Sequence, residues 1–328
     1  MNILMTGITG FIGGHVGRRL LESEEHRVVA LVRPGTDPQR YANFTHGVCV
    51  LEMDLTDSEA IDAVFAKEHV DCVLHIAAVR GGGSASHEEF ERSNIQAPMI
   101  LAHAARQQNA HFLFCSSVGV FGTIPQQLPP TEDTLKVGDN YYHYTKIEAE
   151  RRLLELQQQG LRLTIIRPII TYGPGDRGFP FQLIHLTAQG LLLLPTRDIR
   201  IHMVDVQSVV DAFVHAATLS ETCGKIYTVT DPAPVSLRTL VQYIVTRLSG
   251  QRYPAWKVFP TPLLRLAEFG LEHVVKSDLW LTRVKLMSRD WAYDGSLAAQ
   301  ELRVRQNATI PNFSAMIEWY RSVLNERP

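Results

Sequence analysis

MNILMTGITGFIGGHVG (residues 1–17) decides the fold. Ile3, Leu4 and Met5 form a short apolar run, whereas Ile12, Val16 and Leu20 recur at helical spacing, so the period changes between Thr6 and Phe11. Gly7, Gly10 and Gly13 fall in that change. A tight turn, a close backbone approach to a ligand and tight helix-on-sheet packing each exclude a β-carbon there. The amides that open the following helix lie at the positive end of its dipole, which suits a pyrophosphate. A glycine turn alone can be a plain β-α connection. A second strand at residues 27–33 makes this one part of a β-α-β unit.

Outward from this unit the alternation continues. Strands are expected at 48–53, 70–76, 110–116 and 161–167, with helices from Ser58, over 87–107 and over 142–158, and the glycine run 81–84 reads as mobile. This is an α/β chain: a Rossmann-type, doubly wound parallel sheet covered on both faces, with ligands over the carboxyl ends of its strands. Beyond residue 175 the rhythm becomes isolated helices and short strands broken by prolines. Residues 1–174 are therefore expected to form the dinucleotide-binding domain and 175–328 a smaller, mostly helical substrate lobe, with an interleaved boundary and a shared cleft.

A formal net charge of −2 and the absence of a sustained basic run argue for a small-molecule substrate, and against nucleic acid or a membrane. Cys49, Cys72, Cys115 and Cys223 have no metal or redox spacing and read as buried thiols of a reducing compartment, with the cytoplasm as the expected location. No metal site is expected.

The chemistry is expected in two stretches. Residues 114–122, FCSSVGVFG, place two hydroxyls at a strand end, and residues 141–146, YYHYTK, open a helix with Tyr142 and Lys146 on one face. A phenol with an ordinary pKa of about 10 is a poor base, and a nearby ammonium stabilises its phenolate. A serine across the cleft then holds a substrate oxygen in line with it. A tyrosine four residues from a lysine is most often a surface pair; the glycine turn and the serines reverse that weighting.

With these motifs in order, the chain resembles the extended short-chain dehydrogenase/reductase family, which includes NAD-dependent epimerases and dehydratases. The resemblance rests on Thr6–Gly13, Asp54-Leu55, His75–Ala78, Ser117 four residues before Phe121-Gly122, Tyr142–Lys146 and the stretch from Arg167 to Gly175. It implies that Tyr142 is the acid/base, Lys146 its electrostatic partner and Ser117 the substrate-oxygen donor, with Ser116 as the alternative. It implies a dinucleotide cradle of Gly7, Thr9, Gly10, Phe11 and Ile12, with Asp54 and Leu55 about the adenine and Ala77, Ala78 and Val79 along the dinucleotide. Pro168 and Ile169 would meet the nicotinamide, and Asn94 matches a family asparagine whose other reading is helix packing. It also implies a homodimer through the helices near 94–107 and 142–158.

Arg33 stands where NAD users often carry an acidic residue, and a guanidinium there suits a 2′-phosphate, so NADP(H) is favoured over NAD(H). Ile170 replaces an asparagine common in nucleotide-sugar members. Residues 200–212 are closer to the form seen in ketone and aldehyde reductases, and residues 226–237 and 291–298 resemble stretches of 3β-hydroxysteroid dehydrogenase-like and dihydroflavonol reductase-like members. Trp256, Phe259, Leu263, Leu264, Leu266, Phe269, Leu271, Val274, Trp280 and Leu281 are expected mostly as lobe core, the other reading being a roof over the substrate; Tyr172, Arg177, Arg200 and His202 are candidates to reach the site. The leading expectation is an NAD(P)-dependent dehydrogenase or reductase of a fairly apolar carbonyl or carbinol. The alternatives are a nucleotide-sugar epimerase or dehydratase with tightly held NAD, and a non-catalytic dinucleotide sensor.

Overall fold

In the computed structural model, which describes residues 1–23, 25–44, 46–80, 85–271 and 278–325, the expected alternation is present. The first half runs β1 (Asn2–Thr6), α1 (Phe11–Glu22), β2 (Arg27–Val32), β3 (Val48–Glu52), α2 (Ser58–Glu68), β4 (Cys72–His75), α3 (His87–Glu91), α4 (Ala97–Gln107), β5 (His111–Cys115), α5 (Tyr141–Gln158) and β6 (Arg162–Pro168). Then come β7 (Ile170–Tyr172), α6 (Phe179–Ala188), β8 (Leu194–Pro195), β9 (Arg200–Ile201), β10 (Met203–Asp205), α7 (Val206–Thr218), β11 (Ile226–Val229), β12 (Val235–Ser236) and α8 (Leu237–Ser249). The chain ends with β13 (Val258–Phe259), α9 (Thr261–Gly270), α10 (Asp278–Ser288), α11 (Ser296–Glu301) and α12 (Thr309–Asn325).

Seven strands form one sheet in the order β11-β6-β5-β4-β1-β2-β3, every pair parallel. Apolar residues on its two faces pack into two cores, one holding Ile3, Met5 and Val16, the other Leu4, Phe112 and Leu153. The chain order reverses between β4 and β1, and this switch point opens the crevice. The sheet's last strand, β11, and α7, which packs on α1, both come from beyond residue 174.

The glycine turn has the geometry that its residue types demand. Gly7 has φ +82°, and a β-carbon there would lie 2.7 Å from the Ala77 amide nitrogen. At Gly13 a β-carbon would lie 2.0 Å from the Gly7 carbonyl oxygen. Gly10 N-caps α1 without any side-chain cap, so the first-turn amides remain directed outward.

The expected helix over 87–107 is interrupted by a π turn at Arg92–Gln96. Pro98 follows directly and has no N–H with which to continue the regular ladder. The glycine run at 81–84 and Val274 lie outside the described residues, as do the side chains of Leu264 and Trp280. The other lobe residues are not the core that their spacing suggests. Trp256, Leu263, Leu266 and Phe269 are exposed, and Phe259, Leu271 and Leu281 are half-buried. Cys49 is likewise exposed, on the sheet's edge strand β3, and Cys223 is half-buried; only Cys72 and Cys115 are buried.

Gly13→Ala is expected to cost about 1–3 kcal/mol by overpacking against backbone and to abolish dinucleotide binding. Gly17→Ala, which meets only side-chain atoms of Ile8 and Phe44, should cost less. Thermal unfolding and dinucleotide titration of both variants check this; equal losses would show that the Gly7–Gly13 contact is not the constraint.

Candidate active site

The site is assembled from the carboxyl ends of β1, β4, β5 and β6. Ser117 directly follows β5 and its first turn, where its hydroxyl accepts a hydrogen bond from the Gly119 amide at 3.1 Å. Asn140 caps α5 by accepting from the His143 amide at 2.9 Å, which starts the helix one residue before Tyr142. Tyr142 is half-buried, and the nearby Ser117 hydroxyl favours its phenolate. One turn further, Lys146 is buried beneath it, with Nζ 5.9 Å from the Tyr142 ring centre and 4.7 Å from that of Phe114. Ser117, Tyr142 and Lys146 are thus brought together as expected.

The electrostatics differ from the expectation. Burial pushes the Tyr142 phenol up, against the Arg80 guanidinium and the Ser117 hydroxyl, which favour the phenolate. The Lys146 ammonium donates instead to the Cys115 carbonyl at 2.8 Å. Burial lowers it from 10.5 to about 8, with Arg80 adding to the fall.

Ser116, the alternative to Ser117, is engaged within the protein. Its hydroxyl donates to Glu150 at 2.5 Å, and Glu150 also accepts from Arg167 at 2.6 and 2.8 Å. Glu150 and Arg167 are fully buried, and Glu132 and Lys136 complete the network. It joins α5 to β6 under the reacting groups. Beside them, Asp139 accepts from His143 at 2.6 Å and from the Thr123 amide at 3.0 Å. Burial works to raise this carboxyl, but those hydrogen bonds hold it down at about 2. Lys285 of the lobe approaches Asp139 at 4.0 Å.

The predicted cradle surrounds the crevice. Gly7, Thr9, Gly10, Phe11 and Ile12 form the turn and the uncapped start of α1, facing Ala77, Ala78 and Val79 after β4. Asp54 and Leu55 follow β3. The Thr56 amide and hydroxyl lower the Asp54 carboxyl, and Arg92 donates to it at 2.8 Å. Arg33 is exposed at the end of β2, 3.7 Å from Glu89. Arg40, which the sequence reading passed over, reaches back to the Thr9 carbonyl at 3.2 Å. Pro168 and Ile169 are buried at the end of β6, where Ile169 packs into the core.

Asn94 faces protein. Its oxygen accepts from the Val79 amide at 2.8 Å, and its nitrogen donates to the Val79 carbonyl at 2.9 Å and to the Thr145 hydroxyl at 3.0 Å. The four lobe candidates are engaged elsewhere. The Tyr172 hydroxyl donates to Asp231, and His202 bonds the Asp231 carbonyl and the Tyr293 amide. Arg200 donates to the Pro234 carbonyl and Arg177 lies over Trp319. Arg80 was also missed; a cation at a strand's carboxyl end beside the switch point was the available signal.

The fold and this arrangement define a dinucleotide-binding α/β protein of the tyrosine-lysine class. Residues 3–230 match the model of the NAD dependent epimerase/dehydratase family, and the chain belongs to that family. It is 31% identical over 164 residues to a UDP-glucose 4-epimerase of Bacillus subtilis (strain 168), a match that spans 48% of this chain and of that protein, about half the length of each. It is 26% identical over 265 residues to the 2-alkyl-3-oxoalkanoate reductase of Stenotrophomonas maltophilia (strain K279a), 77% of each chain. The structure of the Bordetella bronchiseptica enzyme WbmH in complex with NAD+ superposes with a TM-score of 0.75 at 19% identity over 98% of each chain, a likeness of fold. No helix among the described residues is long and apolar enough to cross a membrane, and no metal-binding cluster is found among them.

The depressed Lys146 carries a pH signature. Because its folded pKa lies below the ordinary value, the unfolded chain binds more protons between about pH 8 and 10.5, and stability rises with pH in that window. Relative to Lys146→Met, wild type should therefore gain up to about 3 kcal/mol on going from pH 7 to 10.5. Denaturant unfolding across that range checks it; a pH-independent difference between the two proteins would refute a desolvated ammonium.

Proposed function

We propose that this chain is an NAD(P)-dependent reductase, or dehydrogenase in the reverse direction, acting on a small and largely apolar carbonyl compound. The observation that carries the reading is the Tyr142 ring over buried Lys146, with Ser117 beside it at the end of β5 and the uncapped start of α1 across the crevice. The outward amides of α1 and the glycine approach fit a pyrophosphate, and Lys146 sits where an ammonium can reach ribose hydroxyls. A dinucleotide held by Gly7, Gly10 and the start of α1 would, when reduced, supply hydride to the carbonyl carbon. Tyr142 delivers its proton to the carbonyl oxygen and Ser117 holds that oxygen in line, so carbinol and oxidised nicotinamide result. Lys146 stabilises the phenolate left behind.

Arg33 and Arg40 support NADP(H). Both stand at the outer end of the crevice, one after β2 and one against the Thr9 carbonyl, and neither holds a carboxylate within normal hydrogen-bond distance. A 2′-phosphate at that end meets two guanidiniums. The epimerase relatives sustain a second reading, a nucleotide-sugar epimerase; Ile170 in place of the family's asparagine speaks against it.

NADPH-dependent loss of absorbance with a ketone panel, abolished in Tyr142→Phe, is the expected result. UDP-glucose conversion without net cofactor consumption would establish the epimerase reading instead. For the cofactor, Arg33→Ala combined with Arg40→Ala should weaken NADPH about 10- to 100-fold, from the loss of charge-assisted hydrogen bonds, and leave NADH within about threefold. Equal weakening of both nucleotides in a fluorescence titration would remove the NADP preference.

A further inference from the structure

Two turns of the lobe meet at a corner that the chemistry above does not use. The first leaves α6 at Gly190, whose φ of +68° leads the chain into four consecutive leucines, residues 191–194. Alternate leucines face opposite ways: Leu192 and Leu194 are in the core, whereas Leu191 and Leu193 are 66% and 47% exposed. The second turn precedes β13 and presents Trp256 at 75% exposure. Hydrogen bonds stitch the two together. The Tyr253 hydroxyl donates to the Leu192 carbonyl at 2.7 Å and the Leu194 amide to the Lys257 carbonyl at 3.1 Å. The Lys257 ammonium donates to the Gly190 carbonyl at 2.7 Å and lies 5.4 Å from the Trp256 ring centre, so the leucines and the indole share one corner. A single exposed leucine is ordinary; an indole and two leucines held outward together are not.

The charge built around this corner has one sign. The segments that form it, residues 177–197 and 232–267, carry seven Lys/Arg and no Asp/Glu, in a chain whose net charge is −2. Asp290 and Glu318 of other elements meet two of these cations, Arg197 and Arg247. At the corner itself stand Lys257 and, next to Tyr253, the exposed Arg252. An indole with leucines beside it and cations at its edge has the composition of an interfacial anchor. Each Lys or Arg brought to an anionic lipid surface strengthens binding roughly fivefold. The net charge of the whole chain, from which a membrane partner was not expected, conceals this local excess.

We propose that this corner attaches the protein peripherally to a lipid surface bearing anionic headgroups. Leu191, Leu193 and Trp256 enter the boundary between headgroups and acyl chains, and Arg252 and Lys257 lie among the headgroups. The attachment is independent of the reaction assigned to the crevice, so its test needs no substrate.

The full chain is sedimented with phosphatidylcholine vesicles and with vesicles in which about one-third of the lipid is phosphatidylglycerol. Wild type should pellet with the anionic vesicles and far less with the neutral ones. The triple variant Leu191→Ser, Leu193→Ser, Trp256→Ser should bind the anionic vesicles at least about tenfold more weakly, from the lost apolar insertion. Arg252→Ala should weaken binding roughly fivefold. Tryptophan emission of wild type should shift to the blue on adding anionic vesicles, and the shift should vanish in Trp256→Phe, which keeps an apolar ring. Wild type that stays in the supernatant overturns the proposal. So does a folded triple variant that pellets like wild type, which would mean adsorption by charge elsewhere on the surface. If the triple variant fails to fold, Arg252→Ala and Trp256→Phe decide, and unchanged binding together with an unchanged emission shift overturns the proposal. Self-association in light scattering, lost in the triple variant and without vesicle binding, would give the corner to a second copy of the chain and overturn the lipid assignment.

Discussion

A buried hydrogen bond between the Thr6 hydroxyl and His75 Nδ1, 2.9 Å long, joins the two strands at which the sheet reverses its order. The two residues are register partners at the carboxyl ends of β1 and β4. The same hydroxyl accepts from the Ala77 amide at 3.2 Å. These contacts draw the loop after β4 so close to the glycine turn that Gly7 has no room for a β-carbon. Burial, with Lys146 adding to it, drives the His75 imidazole down to about 3, so this junction stays neutral at any pH the protein meets. Both walls of the crevice are set by it: the start of α1 on one side, and the run from Ala77 to Arg80 on the other.

The opposite anchor is α5. Tyr142, Lys146 and Glu150 follow at intervals of four, so they share one face at successive depths. Tyr142 stands half-buried at the mouth and Lys146 lies beneath it. Glu150 is fully enclosed, where Arg167 and the Ser116 hydroxyl bond it to the sheet. A buried ion pair of this kind is weak evidence for stability, since desolvation offsets much of its Coulomb attraction. Its use here is positional: slippage of α5 by a residue would leave a guanidinium and a carboxylate buried apart. The register that keeps them together also keeps Tyr142 against Ser117.

Strands, the glycine turn and the tyrosine-lysine face were legible because each is a local pattern of period or spacing. The π turn around Asn94 was not, because a 3.6-residue pattern runs unbroken through it, and only Pro98 marks the place where the ladder must change. Ser117 was preferred to Ser116 only on its spacing to Phe121-Gly122: adjacent residues leave a strand end in opposite directions, and which one meets the buried Glu150 depends on a contact 34 positions away. The lobe misled for a related reason. Spacing in α9 gives Leu263, Leu266 and Phe269 a common face but says nothing of whether another element covers it, and all three are exposed. Arg40 and Arg80 were passed over because a lone cation in a loop carries no periodic signal.

A formal net charge of −2 gives no hint of the field inside the crevice. Acids near it are occupied: Asp54 by Thr56 and Arg92, Asp139 by His143, Asp176 by the start of α6 and Glu150 by Arg167. Of the cations near it, Lys146 donates to the Cys115 carbonyl and Arg40 to the Thr9 carbonyl, while Arg33 and Arg80 are exposed. Burial raises the Tyr142 phenol above its ordinary value, and the Arg80 charge and the Ser117 hydroxyl offset that only in part. A tyrosine so placed keeps its proton at neutral pH, and the positive field around it favours the phenolate only when an oxygen draws that proton away.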